Sequence, residues 1–281
     1  MVKIVTDTTS GLPLELAQAR DIPVLPQIII FGEESYRDDT EMDTQMFLQK
    51  LRSSPTMPKT AAPPPALYNP IFEQLIADGY RTIICLHPSS ELSGTVRSAL
   101  TAAQDFPGAD IRVVDTRTIA APLATAVLLA DRWAREGADA DTIIARAQDL
   151  IARQRVYFVV DTLEYLHRGG RIGGAQALLG GILQVKPILT LRDGQVEPFE
   201  QQRTQRRALA RLREIVLKEC PPTPESYLAV MHADAAATAR ELANDFSAQL
   251  GIPDIPIYEL PPAIVTHAGP GVLAVSYFVS S

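Results

Sequence analysis

The fold of this chain is decided by Thr82-Ile-Ile-Cys-Leu86 and by the segment that follows, His87-Pro-Ser-Ser-Glu-Leu-Ser-Gly-Thr-Val-Arg-Ser98. The first part predicts a buried strand, because a short apolar run bounded by turn residues is typical of one. The second part predicts a polar turn and then a helix that continues into Ala99-Leu-Thr-Ala-Ala103.

This turn is a candidate anion site. A helix N-terminus has N–H groups without intrahelical partners and a partial positive charge. The hydroxyl donors beside it are Ser89, Ser90, Ser93 and Thr95. Gly94 lets a ligand approach the backbone, and one hydroxyl is enough to cap the helix. We therefore predict a site for a carboxylate or phosphate. The sequence has neither a P-loop nor a Gly-x-Ser-x-Gly motif, so this turn does not indicate an NTPase or an α/β-hydrolase.

Composition limits the number of domains and the classes of function that this chain can have. The chain has 281 residues, of which 46% are hydrophobic and 21% are charged, enough for two domains or one large one. Its net charge of -7 argues against nucleic-acid binding. No apolar run approaches the roughly eighteen residues of a transmembrane helix, and the N-terminus begins with a strand pattern, so we predict a cytoplasmic protein. Two distant cysteines, Cys85 and Cys220, predict no metal, cofactor or disulfide.

Strands and helices alternate through the first half of the chain. Strands at residues 2–6, 82–86 and 111–115 predict a mainly parallel sheet with flanking helices. Because ligands bind at the carboxyl ends of such strands, we expect the turns after Thr6, Leu86 and Val114 to share an edge.

The second half has a different pattern. Residues 186–191 and 195–199 predict a hairpin with an Asp-Gly turn, and a last strand pair is predicted around 265–271. We therefore predict two α/β domains, residues 1–155 and 156–281, the second a mixed or antiparallel α+β sandwich.

Further candidate residues lie in three segments. Thr60 is the hydroxyl near the middle of a proline-rich segment that we predict to be an ordered extended loop. Arg171 lies between glycines, and His267 is predicted to lie in a Thr-His-Ala-Gly-Pro-Gly turn, where it can donate to a ligand or change its charge near neutral pH. A local basic patch is predicted from the arginines at positions 203, 206, 207, 211 and 213.

Four motifs together resemble the DegV family. They are Pro88-Ser-Ser-Glu-Leu-Ser-Gly-Thr95, Asp161-Thr-Leu-Glu-Tyr-Leu-His-Arg-Gly-Gly-Arg-Ile-Gly173, Lys186-Pro-Ile-Leu-Thr-Leu191 and Thr266-His-Ala-Gly-Pro-Gly271. The resemblance spans essentially the whole chain. It implies two α/β domains with a long-chain fatty acid such as palmitate, stearate or oleate between them. It also implies a non-catalytic subunit that presents the carboxylate to a fatty acid kinase catalytic subunit, which makes acyl phosphate for phospholipid synthesis.

By this resemblance the ligand-binding residues are Thr60, Ser93, Gly94, Thr95, Arg171, Arg203 and His267. Ser93, the Gly94 N–H and Thr60 would hold the carboxylate, His267 would lie close to it, and the arginines would serve the head group and the kinase-facing surface. Burial of an acyl chain contributes roughly 0.8 kcal/mol per CH₂, so we expect micromolar or tighter retention of the fatty acid.

The proline-rich loop departs from the family pattern. The family has Thr-Ser-Gln-Pro-Ser where this chain has Thr60-Ala-Ala-Pro-Pro64, so two hydroxyls and an amide are lost. The alternative function is a hydrolase or an acyl or phosphoryl transferase, with Ser93 as nucleophile and His267 as base. Asp7, Asp115 and Asp161 are all available to orient that base. A third reading is a sensor or structural module whose pocket binds another anion.

Overall fold

The computed structural model describes residues 1–179 and 185–280. The chain forms two compact units. The N-terminal unit comprises Met1–Asp43 and Ser54–Ala152, and the C-terminal unit comprises Thr44–Ser53 and Arg153–Ser281. In the described residues, no helix combines the length and apolar character that a membrane span requires.

The N-terminal unit contains seven strands, all within residues 1–152, which the structure describes throughout. They are β1 (Val2–Asp7), β2 (Val24–Leu25), β3 (Ile28–Phe31), β4 (Glu34–Arg37), β5 (Lys59–Ala61), β6 (Thr82–His87) and β7 (Asp110–Asp115). The α-helices of the same stretch are α1 (Leu14–Ala19), α2 (Thr44–Ser53), α3 (Asn69–Ala77), α4 (Thr95–Ala103), α5 (Ala121–Arg135) and α6 (Ala140–Ala152). Of these helices, α2 belongs to the C-terminal unit.

The main sheet of the N-terminal unit is parallel, in the order β2-β1-β6-β7, as the sequence predicted. Ile4 and Leu86 pack with Leu123 of α5 on one face. Val5 and Cys85 pack with residues of α3 and α4 on the other face. Successive side chains of a strand face opposite sides, so a sheet covered on both faces favours a continuous apolar run such as residues 83–86 of β6.

A second sheet of this unit is antiparallel, in the order β4-β3-β5. Strands β3 and β4 form a short hairpin, and β5 lies in the proline-rich segment, where Thr60 pairs with Ile29. This segment is ordered, as predicted, but the sequence analysis did not foresee its strand. A three-residue strand at a sheet edge is compatible with flanking prolines because it needs few N–H donors.

The C-terminal unit has one mixed sheet, in the order β10-β9-β8-β13-β11-β12. Its strands are β8 (Gln154–Val159), β9 (Lys186–Arg192), β10 (Gln195–Gln202), β11 (Ala229–His232), β12 (Ile257–Glu259) and β13 (Leu273–Phe278). Its further α-helices, in the described residues from 153 onward, are α7 (Glu164–Arg168), α8 (Gln205–Glu219), α9 (Ala236–Leu250) and α10 (Pro262–Ala268). Only β11 and β12 pair in parallel among these neighbours, so the mixed character predicted from the sequence is confirmed. The Asp-Gly hairpin is also confirmed, with positive φ at Asp193 and Gly194.

The predicted strand pair around residues 265–271 is wrong. The structure has helix α10 followed by the single strand β13. Pro261 and Pro262 begin the helix, since proline lacks the N–H that a first helical turn leaves unpaired. Gly269 ends it with φ near +81°. His267 therefore lies in the last turn of a helix and not in an open turn.

Helix α2 is attached to the C-terminal unit by polar contacts at both ends. The Thr44 hydroxyl donates to the carbonyl of Leu260 (2.9 Å), and Arg52 forms an ion pair with Asp234 (2.6 Å). Phe47 is fully buried between these ends. A division of the chain at a single point therefore does not describe this helix.

We expect Phe47→Ala to lower the free energy of unfolding by about 3–5 kcal/mol, because it leaves a cavity. Met46→Ala on the same helix is the control, since Met46 is 50% exposed. Amide hydrogen exchange under native conditions checks the location of the effect. Exchange should accelerate in β11 and β13 more than in β1 and β6. Equal acceleration in the four strands would contradict the assignment of α2 to the C-terminal unit.

Candidate functional site

The turns after β1, β6 and β7 meet at the carboxyl edge of the parallel sheet, as predicted. The Thr6 hydroxyl donates to the carbonyl of Leu86 (2.9 Å), and the Ser90 hydroxyl donates to Asp115 (2.5 Å). Ser89 is fully buried, and its hydroxyl accepts a backbone N–H of the turn (3.3 Å). Two of the four candidate hydroxyls therefore stabilise the turn itself.

A buried carboxylate and imidazole lie beneath this turn. Asp7 Oδ2 and His87 Nδ1 are 2.7 Å apart, and both residues are inaccessible to solvent. The other ring nitrogen of His87, Nε2, lies 3.2 Å from the hydroxyl of Tyr68. Burial raises the pKa of the Tyr68 hydroxyl, and the charge of Asp7 adds to this effect. The phenol therefore keeps its hydrogen at neutral pH, and it donates to His87 Nε2 when the ring hydrogen is on Nδ1, facing Asp7.

Gln27 connects this pair to the candidate hydroxyls. Its Nε2 donates to Asp7 Oδ1 (3.0 Å) and to Thr95 Oγ1 (2.9 Å). The Thr95 hydroxyl in turn lies 2.7 Å from that of Ser93. Thr95 is fully buried, whereas Ser93 is partly exposed. Thr95 thus contacts the Ser93 hydroxyl from the buried side of the turn.

Gly94 provides a backbone donor beside Ser93. Its N–H has no acceptor in the described part of the chain, and it lies at the N-terminus of the nine-residue helix α4. A Cβ at this position would lie 3.6 Å from the methyl group of Ala62. The Ser98 hydroxyl donates to the carbonyl of Pro63. The loop that follows Thr60 therefore packs directly against this turn.

In the C-terminal unit, Arg171 and His267 meet near Gly169. Arg171 donates to the Gly169 carbonyl (2.7 Å), and the His267 ring lies against the Gly169 backbone. Burial lowers the pKa of His267 to about 4, and the charge of Arg171 acts in the same direction. The expectation that His267 changes charge near neutral pH is therefore wrong, because a pKa of about 4 leaves its imidazole neutral there.

The predicted basic patch is partly neutralised. Arg211 forms ion pairs with Glu200 and Glu214, and Arg213 pairs with Asp245. The exposed arginines of this segment that carry no such ion pair in the described residues are Arg203, Arg206 and Arg207. Ser93 and His267, the pair of the hydrolase alternative, belong to different units.

Sequence reasoning missed Gln27 and the roles of Asp7 and His87. One signal was available for the last two, because β1 and β6 pair with a constant offset, Val2 with Thr82 and Val5 with Cys85. The same offset of 80 residues separates Asp7 from His87. Gln27 gave no such signal, since it lies between two short strands in a proline-containing segment.

The fold and these side chains define a two-unit α/β protein with a cluster of hydrogen-bond donors at the carboxyl edge of a parallel sheet. The chain matches the family model "Uncharacterised protein, DegV family" over residues 1–280. It therefore belongs to the DegV family, which confirms the resemblance drawn from the four motifs.

Two relatives illustrate how fully the similarity extends. A DegV domain-containing protein of Halalkalibacterium halodurans is 35% identical over 278 residues, which are 99% of this chain and 98% of that protein. Another, from Streptomyces coelicolor, is 38% identical over 275 residues, 98% of this chain and 97% of that one. The similarity therefore covers both units.

Solved structures share the fold. A Thermus thermophilus DegV family protein, described by its fatty acid binding, is 32% identical with a TM-score of 0.86, and 99% of each chain is covered. DegV of Bacillus subtilis, described as a fatty acid binding protein, is 29% identical with a TM-score of 0.89 and the same coverage. The predicted fold class is thereby confirmed.

Asp38 gives the N-terminal unit a testable pH dependence. Burial raises the pKa of its carboxyl to about 7, although hydrogen bonds from Thr8 and the Gln27 N–H oppose this. The folded chain then holds more protons than the unfolded chain between about pH 4 and pH 7, so its stability falls as pH rises through that range. As pH rises through this range, the free energy of unfolding of the wild-type protein should fall by up to about 4 kcal/mol, and we expect Asp38→Asn to remove this fall.

Urea unfolding at several pH values measures this difference. Glu33→Gln is the control, because Glu33 is an exposed carboxylate on the nearby β3–β4 turn. If the free energy of unfolding changed with pH in the same way in the wild-type protein and in Asp38→Asn, this would contradict the raised pKa of Asp38.

Gly169 allows a second test, in the C-terminal unit. A methyl group at Gly169 would overlap His267 Nδ1 and lie 2.9 Å from the Tyr165 carbonyl oxygen. We expect Gly169→Ala to cost about 1–3 kcal/mol and to shift the NMR resonances of the His267 ring. Gly170→Ala has open space but a φ of +69°, so it should cost about 1 kcal/mol without moving the ring. Equal ring shifts in both variants would refute this packing.

Proposed function

We propose that this protein binds a long-chain fatty acid and holds its carboxylate with the Ser93 hydroxyl, the Gly94 N–H and the Thr60 hydroxyl. The observation that carries the proposal is the Gly94 N–H at the start of α4, which has no acceptor among the described residues. A carboxylate taken out of water needs several donors, and this turn offers them. The fatty acid binding of the Thermus thermophilus and Bacillus subtilis relatives supports the same ligand.

Two of the predicted ligand-binding residues, Arg171 and His267, belong to the C-terminal unit. We assign Arg171 and His267 to fatty acid binding, the first as a cation and the second as a neutral imidazole that can donate or accept. Burial lowers the pKa of Arg171, but the side chain remains charged at neutral pH. The exposed Arg203 is assigned to the surface that meets a partner.

A carrier fits the N-terminal unit better than a serine hydrolase does. A nucleophilic serine needs a base in contact and a third group that orients this base. His87 has such an orienting group in Asp7, but its other nitrogen faces Tyr68 and not a serine. Ser93 instead has the Thr95 hydroxyl as its inward partner. We therefore propose a non-catalytic protein that presents its fatty acid to a kinase catalytic subunit for conversion to acyl phosphate.

We expect Ser93→Ala to weaken fatty acid binding by about ten- to a hundredfold, because it removes a hydrogen bond to a charged group. Native mass spectrometry of the protein from a bacterial host, with lipid extraction, measures occupancy and identifies the acyl chain. Titration of the delipidated protein gives the affinity.

Ser90→Ala is the matched control in the same turn, since its hydroxyl binds Asp115. Wild-type protein that carries no fatty acid and refuses added palmitate would overturn the proposal. Turnover of an acyl ester that Ser93→Ala abolishes would support the hydrolase instead.

A further inference from the structure

We propose that Gln27 and Thr95 are specificity-determining residues that fix Ser93 as a hydrogen-bond donor, so that the site selects head groups that accept hydrogen bonds. This inference rests on the proposed function, since it concerns the head group of the same ligand. It follows from the direction of each hydrogen bond in the buried chain Asp7–Gln27–Thr95–Ser93.

The first step fixes the side-chain amide of Gln27. Asp7 Oδ1 accepts the backbone N–H of Thr9 (3.0 Å), and as an oxygen of a carboxylate it has no hydrogen to donate. The group of Gln27 that faces Asp7 Oδ1 must then be the amide nitrogen, which only donates. The same nitrogen also faces Thr95 Oγ1 at 2.9 Å, so Thr95 is an acceptor toward Gln27.

The second step fixes the hydroxyl of Thr95. Thr95 is fully buried, and in the described part of the chain its hydroxyl hydrogen has one acceptor within reach, Ser93 Oγ at 2.7 Å. A buried donor left without an acceptor costs about 1–3 kcal/mol. Thr95 therefore donates its hydroxyl hydrogen to Ser93.

The third step fixes Ser93. Its oxygen accepts from the Thr95 hydroxyl and, at 3.3 Å, from the Thr95 backbone N–H. Both lone pairs are then used, and the remaining Ser93 hydrogen is directed away from the buried chain. The ligand therefore meets two donors side by side, the Ser93 O–H and the Gly94 N–H. A carboxylate satisfies both donors, whereas an alcohol must also place its own hydrogen.

The test compares a fatty acid with the fatty alcohol of the same length. Displacement of a fluorescent fatty acid by tetradecanoic acid and by tetradecanol gives the two affinities and their ratio. In Thr95→Val the Ser93 hydroxyl loses its partner and becomes free to accept, so we expect the preference for the acid to fall about tenfold or more. Thr101→Val on the exposed side of the same helix is the control and should keep the wild-type ratio.

A second variant keeps the inference testable if Thr95→Val does not fold. Gln27→Glu buries a further carboxyl group beside Asp7, where it will be protonated and present an acceptor oxygen to Thr95. The hydrogen bonds then reverse their direction, so that Thr95 donates to residue 27 and Ser93 donates to Thr95. The preference for the acid over the alcohol should again fall. Gln18→Glu is the control, because Gln18 is exposed on α1.

The outcomes separate the two proposals. A wild-type protein that binds neither acid nor alcohol overturns the proposed function and this inference with it. A wild-type protein that binds the acid, with folded variants that keep the wild-type ratio, overturns the inference alone. A smaller ratio in the variants, with the ratio unchanged in both controls, supports it.

Discussion

The N-terminal unit depends on one buried carboxylate, that of Asp7. Removal of a carboxylate from water is costly unless donors replace the water, and here four donors do so. They are the backbone N–H and hydroxyl of Thr9, the amide of Gln27 and the imidazole of His87. Because these donors come from the turn after β1, the segment between β2 and β3, and the end of β6, one side chain holds three parts of the chain in register.

The sequence predicted those features that are local in the chain. An apolar run followed by a polar turn was enough to place β6 and α4, and Asp193-Gly194 was enough to place a hairpin. It could not place α10, because Thr-His-Ala-Gly-Pro-Gly contains strong turn signals, while the helix is set by Pro262 upstream. It also could not place Gln27, since this amide acquires its role only when residues far apart in the chain meet.

The departure of the proline-rich loop from the family pattern has a physical consequence in this fold. In the family pattern that the resemblance implies, a glutamine stands at the position of Ala62, whose methyl group lies beside Gly94. An apolar neighbour cannot donate to an anion, but it excludes water from the backbone donor beside it. Hydrogen bonds are stronger in such a low-dielectric environment. Loss of the amide donor therefore weakens anion binding at this turn, whereas exclusion of water from the Gly94 N–H strengthens it.

The orientation of Ser93 is set when the chain folds, before any ligand arrives. A surface serine rotates freely and must be ordered at the cost of binding free energy, whereas Ser93 is held by a fully buried threonine. That threonine is held by Gln27, and Gln27 by the carboxylate on which the unit depends. The free energy of folding thus supplies the order that a head-group site needs. The same chain of contacts that stabilises the carboxyl edge of the sheet thereby defines which chemical groups this edge can accept.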